Sequence, residues 1–463
     1  MAGLASALAT ARAGHCVTLI DRDPINQAGS GASSFNWDRK GIPHFHQPHA
    51  FLPRGRSILQ RHFPDVLNAL REAGAEEIDV SRKIPGARLE ADSELTFLGV
   101  RRPLIEWALR DAVLREESIT IIPCAKITGL LGEHGAVPRL TGVITDARKE
   151  YTGDVVVDAM GRNSPMAKWV EQLGAAPIPE QSSDCGLIYY SRYFRFLSST
   201  CFPEGPWLLS PRGDLGYAMF STFIGDSGTF AAFIGIPTYD NDLRIIQQST
   251  AFMAACGSIH LLAPLVDPSY AEPISTVMPM GGLRNTLREY VHEGKARVIG
   301  LFPAGDALCH TDPSFALGLS LSLLHATDLV AALAEQNNPE SQTLCYLSRV
   351  EPEMKERFAL ACAVDDARIR LWKGEPLDFT RRDGCYPLFQ LIAPAAVARQ
   401  DADIFRKTMR RIGFLDRTAV FDQDVHMQIK VESLFAKLLA SGLLPKQGPS
   451  RDELFTLLKG VAF

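Results

Sequence analysis

The chain has 463 residues, 46% of them hydrophobic and 22% charged, with a formal net charge of −5. That length exceeds one ordinary core and implies two or more packed lobes, in the compositional range of a soluble globular protein. The slight negative charge excludes an overall nucleic-acid-binding or anionic-membrane surface, and nine dispersed cysteines without a Cys-x-x-Cys pair argue for reduced thiols in a cytoplasm rather than a disulfide framework or a zinc site.

Gly3 to Ala13, rich in Ala and Leu, reads as a helix with a smooth face for packing on a sheet. Gly14 stands where a helix C-cap belongs, and Cys16 to Ile20 follows as a short buried strand with Asp21 at its end. The apolar run from 2 to 20 is not a secretory signal. It has no basic leading region, Arg12 interrupts it and Gly14 divides it. No uninterrupted apolar run is long enough to cross a bilayer. Residues 22 to 50 are loop-rich, with Pro24, Gly29, Gly31, Gly41, Pro43 and Pro48. Leu59 to Ala73 returns to helical spacing, and Arg102 to Arg115 is an amphipathic helix with Pro103 in its first turn. Ile119 to Pro123 and Val155 to Asp158 are apolar strands.

From about Gly186 to Pro279 the texture changes. Leu187 to Phe196, Gly216 to Ile224 and Thr229 to Ile236 alternate with turn residues, which predicts an inserted antiparallel sheet. Val298 to Leu301 is a strand entering Pro303-Ala304-Gly305-Asp306, and Leu317 to Ala334 is a long apolar helix. The remainder, from about Glu335, is mostly helical and ends in a short amphipathic helix after Gly448-Pro449-Ser450-Arg451.

Helix, tight turn, strand and acid is the second half of a dinucleotide-binding motif. Such a fold needs glycines for a tight turn, for close approach of a pyrophosphate and for packing of helix on strand, with an acid about twenty residues on for the ribose. Gly3 fits the third glycine and Asp21 the acid. The first strand and the first two glycines would lie before Met1, so the domain reads as N-terminally truncated. Taken alone, the half-motif also fits a plain helix-turn-strand hairpin.

Two downstream stretches change that balance. Val155 to Asp158 runs into a turn with Gly161, Arg162, Asn163 and Ser164, which sets backbone amides at a strand end. Its plain alternative is a capped turn. Gly305-Asp306-Ala307 follows another apolar strand, and Pro313 and Gly318 lead into the long helix. A helix N-terminus offers free N–H groups to an anion, and the Asp carboxylate can accept hydrogen bonds from sugar or ribityl hydroxyls.

Several stretches together carry a family resemblance: LASALATARAGHCVTLIDRD, GIPHFHQPHAFLPRG, RRPLIEW, VVDAMGRNSP, GDALCHTDPSFALGLS and GPSRDEL. They resemble the first helix and second strand, a His-bearing loop, an Arg-x-x-Leu-Glu helix start, an Asp-Ala-x-Gly-Arg turn, a second FAD motif and a C-terminal signature. These belong to FAD-dependent monooxygenases related to p-hydroxybenzoate hydroxylase, in the bacterial branch that includes polyether epoxidases. The resemblance implies an α/β fold: a Rossmann-like FAD-binding domain, an inserted antiparallel sheet substrate domain and a helical C-terminal region. The expected boundaries are 1–185 and 286–335 for the FAD-binding domain, 186–285 for the sheet domain and 336–463 for the helical region.

The same resemblance implies roles for residues. Gly3 would lie under the pyrophosphate, and Asp21, with Arg22 beside it, at the adenosine ribose. Arg102 would sit near the phosphates or ribityl chain, and His49 in the loop near the flavin. Asp158, Gly161 and Arg162 would shape the crevice. Gly305 and Asp306 would meet the ribityl and pyrophosphate region, and Pro313, Gly318 and Leu319 the isoalloxazine edge. His44, His46 and His49 also invite a metal reading, which the absence of a Cys, Asp or Glu at ligand spacing disfavours. Family members usually have glycine where Ala316 stands and often Gln at Leu317.

The implied reaction is insertion of one oxygen atom from O₂ into a small organic substrate through a flavin C4a-hydroperoxide, by hydroxylation or epoxidation. Electrons would come from NAD(P)H or a partner flavin reductase. No obligatory catalytic residue is required, because the cofactor carries the chemistry. Tyr189, Tyr190, Arg192, Tyr193, Phe220 and Phe223 are candidate substrate walls, with core packing as the plain alternative. A halogenase of the same fold ranks lower because no Trp-x-Trp-x-Ile-Pro segment is present. A reductase or dehydrogenase without oxygen transfer, and a non-catalytic flavoprotein relic, are the other readings.

Overall fold

The computed structural model describes residues 1–24, 29–198, 202–375, 386–442 and 447–461. The chain is mixed α/β. Helix Ala2–Arg12 ends before Gly14, whose φ of +93° reverses the chain into strand Val17–Ile20. That strand pairs in parallel with Ile119–Ile122, from Val17 opposite Ile119 to Ile20 opposite Ile122. A second parallel pair joins Val156–Asp158 to Leu301–Pro303. Parallel neighbours need long crossovers, and helix Arg102–Leu114 lies in the first of them.

Among the described residues no strand bridges these two pairs. The first turn of helix Ala2–Arg12 touches both. A Cβ placed on Gly3 would stand 3.4 Å from the Ala159 Cβ and 3.7 Å from the Leu19 Cδ1. At Gly3 a Cβ would meet both neighbours at ordinary van der Waals distance.

The antiparallel sheet runs in the order Arg212–Asp214, Met219–Ile224, Thr229–Pro237, Leu187–Phe196, with Ala271–Pro273 and Met278–Met280 sharing the far edge. Strand alternation divides Leu187–Phe196 between two faces. Tyr190, Phe194 and Phe196 enter a core with helix Ser249–Ser258 and the last helix, Arg451–Val461. Tyr189, Ser191 and Tyr193 face the loop around Gln47 and Asp312.

Two expected elements differ. The helical stretch over 59–73 is two helices, Pro53–His62 and Pro64–Glu72, because Pro64 lacks an N–H and pushes Phe63 out of helical geometry. The strand expected at 298–301 starts only at Leu301, since Gly300 has φ +79°. Helices Gly318–Glu335, Pro339–Trp372, Tyr386–Val397, Ala402–Ile412 and Val425–Ala440 form most of the carboxy-terminal half. Among the described residues no helix is long and apolar enough to cross a membrane, and the seven cysteines described are free thiols.

Candidate functional site

A cavity of about 1790 Å³ opens between the two parallel strand pairs, helix Ala2–Arg12, the loop around His44 and the start of helix Gly318–Glu335. Its charged wall is a network. Arg39 reaches three acids: Nη2 to Asp21 Oδ2 at 2.7 Å, Nε to Asp23 Oδ2 at 3.0 Å and Nη1 to Glu106 Oε2 at 2.9 Å. Arg110 Nη2 also donates to Asp21 Oδ2, at 3.1 Å. Arg102 donates to Glu106 Oε1 from Nε at 3.1 Å and Nη2 at 3.0 Å. Glu106 is fully buried. Burial raises its proton affinity, but the Met1 amino group 3.7 Å from Oε1, Arg102 and Arg39 outweigh it and hold the carboxyl well below the usual range.

The histidines divide. His49 Nδ1 lies 2.7 Å from the Gln47 carbonyl oxygen and so carries the ring proton, which leaves Nε2 to accept from Arg102 Nη1 at 3.4 Å. Burial and then the Arg102 charge push its pKa well down, so the ring is neutral. His44 lines the cavity, and burial followed by Arg102 pushes it down to about 3. His46 turns away to meet Phe35 and Phe45 edge-to-face. Among the described residues no group of three or more His, Cys, Asp or Glu is arranged to hold a metal.

Asp158 ends a strand and Asp306 follows one, yet they behave oppositely. Asp158 is buried and turned inward. Its carboxylate accepts from Ser164 Oγ at 2.6 Å and Met160 N at 3.0 Å, which shapes the Gly161 turn from behind. Asp306 borders the cavity, with His310 Nδ1 at 3.2 Å from Oδ2. Burial raises the Asp306 carboxyl, but His310, then His44 and Arg102, hold it below the usual range. Asp306 Oδ1 faces Gly318, at 3.8 Å from where a Cβ would be. The turn between them is tight, and Ala316 takes left-handed φ +54°. That conformation favours glycine and explains glycine as the usual residue there.

Of the residues picked out from the sequence, Gly3, Asp21, Arg22, His49, Arg102, Gly161, Arg162, Asp306, Pro313, Gly318 and Leu319 line this cavity, whereas Asp158 and Gly305 support it from outside the lining. Gly305, at φ +60°, donates its N–H to His325 Nδ1 at 2.9 Å and leaves room for Ala2. Asp21 comes already engaged by two arginines. Arg22 donates to the Gly41 carbonyl. Arg162 is the opposite case: among the described residues its side chain has no hydrogen-bond or ion-pair partner.

None of the six candidate substrate walls lines the cavity. Tyr190 and Phe220 belong to the sheet's dry core, Phe223 packs on Phe233, and Arg192 Nε donates to the Ser275 carbonyl at 2.9 Å. Tyr189 and Tyr193 are buried against Asp312 and the Gln47 loop. Sequence reasoning missed Arg39, Glu106, Arg110 and His310. Only Glu106 left a signal, its i,i+4 spacing from Arg102. Arg39 lies in an irregular loop whose path no local pattern gives.

No protein-family profile matches the chain. Among curated proteins, Protein Rv3254 of Mycobacterium tuberculosis is 23% identical over 418 residues, covering 81% of this chain and 80% of that protein. Among solved structures, PqsL of Pseudomonas aeruginosa, a probable FAD-dependent monooxygenase, superposes with TM-score 0.56 at 14% identity over 81% of this chain and 95% of its own. The flavin-dependent brominase Bmp2 gives TM-score 0.56 at 15% identity over 95% and 97%. The oxygenase of 2-methyl-3-hydroxypyridine-5-carboxylic acid gives 0.51 at 16% over 88% and 95%. The chain therefore has the fold of FAD-dependent monooxygenases and their flavin-dependent relatives.

Proposed function

We propose that this chain is an FAD-dependent monooxygenase that inserts one atom of O₂ into a small organic substrate, by hydroxylation or epoxidation. The observation that carries the reading is the cavity itself. It gathers two strand-end turns, a helix N-terminus and the unpartnered Arg162 around one space. The donor set suits a ligand that is anionic in its middle and flat and apolar at one end. Arg162, Arg22 and the start of helix Ala2–Arg12 would hold the pyrophosphate. Asp306 would take ribityl hydroxyls through Oδ1, and Asp21 would share its remaining acceptor capacity with the ribose. Pro313, Leu317 and Leu319 would border the ring system, while the first-turn N–H groups of helix Gly318–Glu335 would face negative charge on it.

FAD, reduced by NAD(P)H or a partner reductase, would supply the oxygen-activating chemistry. The protein binds, orients and excludes water. His44 stays neutral beside Arg102 and presents ring nitrogens without adding charge, while His49, also neutral, spends both of its ring nitrogens on the Gln47 carbonyl and Arg102. We take 1–185 and 286–335 as the cofactor-binding segments, 186–285 as the substrate-facing sheet and 336–463 as the helical region. Substrate would enter beside Gln47 and Met280, where the sheet domain meets the cavity; Gln47 Nε2 already donates to the Pro279 carbonyl at 3.2 Å.

The direct test is the visible absorption spectrum of the purified chain before and after adding FAD. Protein-bound flavin bands, weakened about tenfold in affinity by Arg162→Ala through loss of a charge-assisted contact, are the expected result. A chain that takes up no FAD at any concentration overturns the reading. With flavin bound, label from isotopic O₂ in the product separates a monooxygenase from a dehydrogenase. Likeness to the brominase over nearly the whole chain makes halogenation the second reading, and bromide-dependent products in the same assay would favour it.

A further inference from the structure

Behind the turn that borders the cavity lies a buried polar cluster with no part in the proposed reaction. The Asp312 side chain is fully buried. Its carboxylate accepts from Ser314 N at 2.9 Å, Ser314 Oγ at 2.8 Å, the Tyr189 hydroxyl and Arg368 Nη1 at 3.4 Å. Its own N–H donates to Asn285 Oδ1 at 2.7 Å, and Asn285 Nδ2 donates to Asp365 Oδ2 at 2.8 Å. Arg368 Nη1 closes the ring at 3.1 Å from Asp365 Oδ1. Four segments meet here: the cavity turn, strand Leu187–Phe196, strand Arg284–Arg288 and helix Pro339–Trp372.

The charge balance of this cluster is uneven. It holds two carboxylates and one guanidinium. The other titratable groups facing it are the Tyr189 phenol and the Cys185 and Cys362 thiols, with Asp214 near Arg368, and none of these adds a positive charge. Asp312 already collects four donors, whereas Asp365 accepts from Asn285 and Arg368. Burial first, and the Asp312 charge second, push the Asp365 carboxyl up to about 8. A proton held on Asp365 then removes the excess negative charge beside Asp312.

We propose that Asp365 is a positioning residue for the turn 313–318: its protonated carboxyl completes the cluster, and losing that proton above neutral pH sets a second negative charge against Asp312 and loosens the cap on the turn. The consequence reaches the ligand because Pro313, Ala316, Leu317 and Gly318 line the cavity. In sign, a carboxyl raised from 3.8 to about 8 binds its proton more tightly in the folded chain, so its contribution to stability falls as pH rises through that window and is gone above it. The link to ligand rests on the proposed function; the link to the turn does not.

The test compares the wild-type chain with Asp365→Asn at pH 7 and pH 9, without added flavin, by amide hydrogen exchange. After correction for intrinsic exchange, residues 313–318 of the wild type should lose about tenfold in protection relative to strand Thr229–Pro237, the change that one pH unit beyond a titration gives. Asp365→Asn should stay flat. A wild-type turn indifferent to pH, or an Asn variant that responds as the wild type does, overturns the proposal. If Asp365→Asn does not fold, Asp312→Asn replaces it: with the neighbouring charge gone the response must weaken, and an undiminished response counts against the proposal. FAD affinity measured on the same samples should fall with pH in the wild type only. Absence of FAD binding with the exchange pattern intact would sink the proposed function and leave Asp365 in its role.

Discussion

The cavity wall and the antiparallel sheet are held together by different physics. Strand Thr229–Pro237 is buried at all nine positions and paired on both sides. Phe230 stacks on Phe194 and Phe196 at ring-centroid distances of 5.2 and 4.6 Å. At the cavity, strand Val17–Ile20 has no fully buried residue and, among the described residues, a single paired neighbour. Buried charges take over there, with Glu106 joining Arg39 and Arg102. A dry core tolerates changes in pH and salt; a charged wall can receive a charged ligand but depends on every partner staying in place.

The largest effect should come from Glu106→Ala, which leaves the buried Arg102 without its carboxylate and takes one of three from Arg39. Chemical denaturation at neutral pH should show a loss of roughly 3–5 kcal/mol. Phe230→Ala should cost about 3–4 kcal/mol through cavity formation, and the pH response separates the two. The Glu106 carboxyl is depressed in the folded chain, so its stabilisation is present above the ordinary glutamate value of 4.5 and is lost as pH falls through its lower folded value. The penalty of Glu106→Ala should therefore shrink in acid while that of Phe230→Ala stays level. Equal pH responses would erase the contrast.

Smaller effects sharpen it. Tyr346 sends its hydroxyl to the Pro303 carbonyl at 2.7 Å, tying helix Pro339–Trp372 to the parallel strand that enters the cavity. Tyr346→Phe should cost about 1–2 kcal/mol, read as a lowered denaturation midpoint, because a buried acceptor loses its donor. At the bottom of the scale, Ala316→Gly should gain roughly 0.5–1 kcal/mol by relieving the left-handed φ. A loss on that substitution would mean that the methyl group packs well enough to offset the backbone.

Much of the frame was legible. The first helix, its glycine cap and the strand ending at Asp21 follow from periodicity and turn chemistry, and the three long strands of the antiparallel sheet lie within a few residues of their expected bounds. The break at Pro64 could have been read from the proline itself. Two features could not. Asp158 and Asp306 look alike as strand-end acids, and only the Ser164 hydroxyl and the packing behind it turn one inward. Among His44, His46 and His49, spacing gives no hint that Arg102 receives one while Phe35 and Phe45 hold another.

What the sequence determined alone was local: which segments coil, which extend, where glycine and proline break them, and that the pieces occur in the order of a flavin-binding fold. Periodicity and turn preference act over a few residues, so a single chain reports them directly. Which charges meet was decided by tertiary structure. Arg39 finds Asp21, Asp23 and Glu106, and Asp365 finds Asp312, only when loops and helices distant in the chain pack together. Burial then makes each unpaired charge costly enough to select its partner.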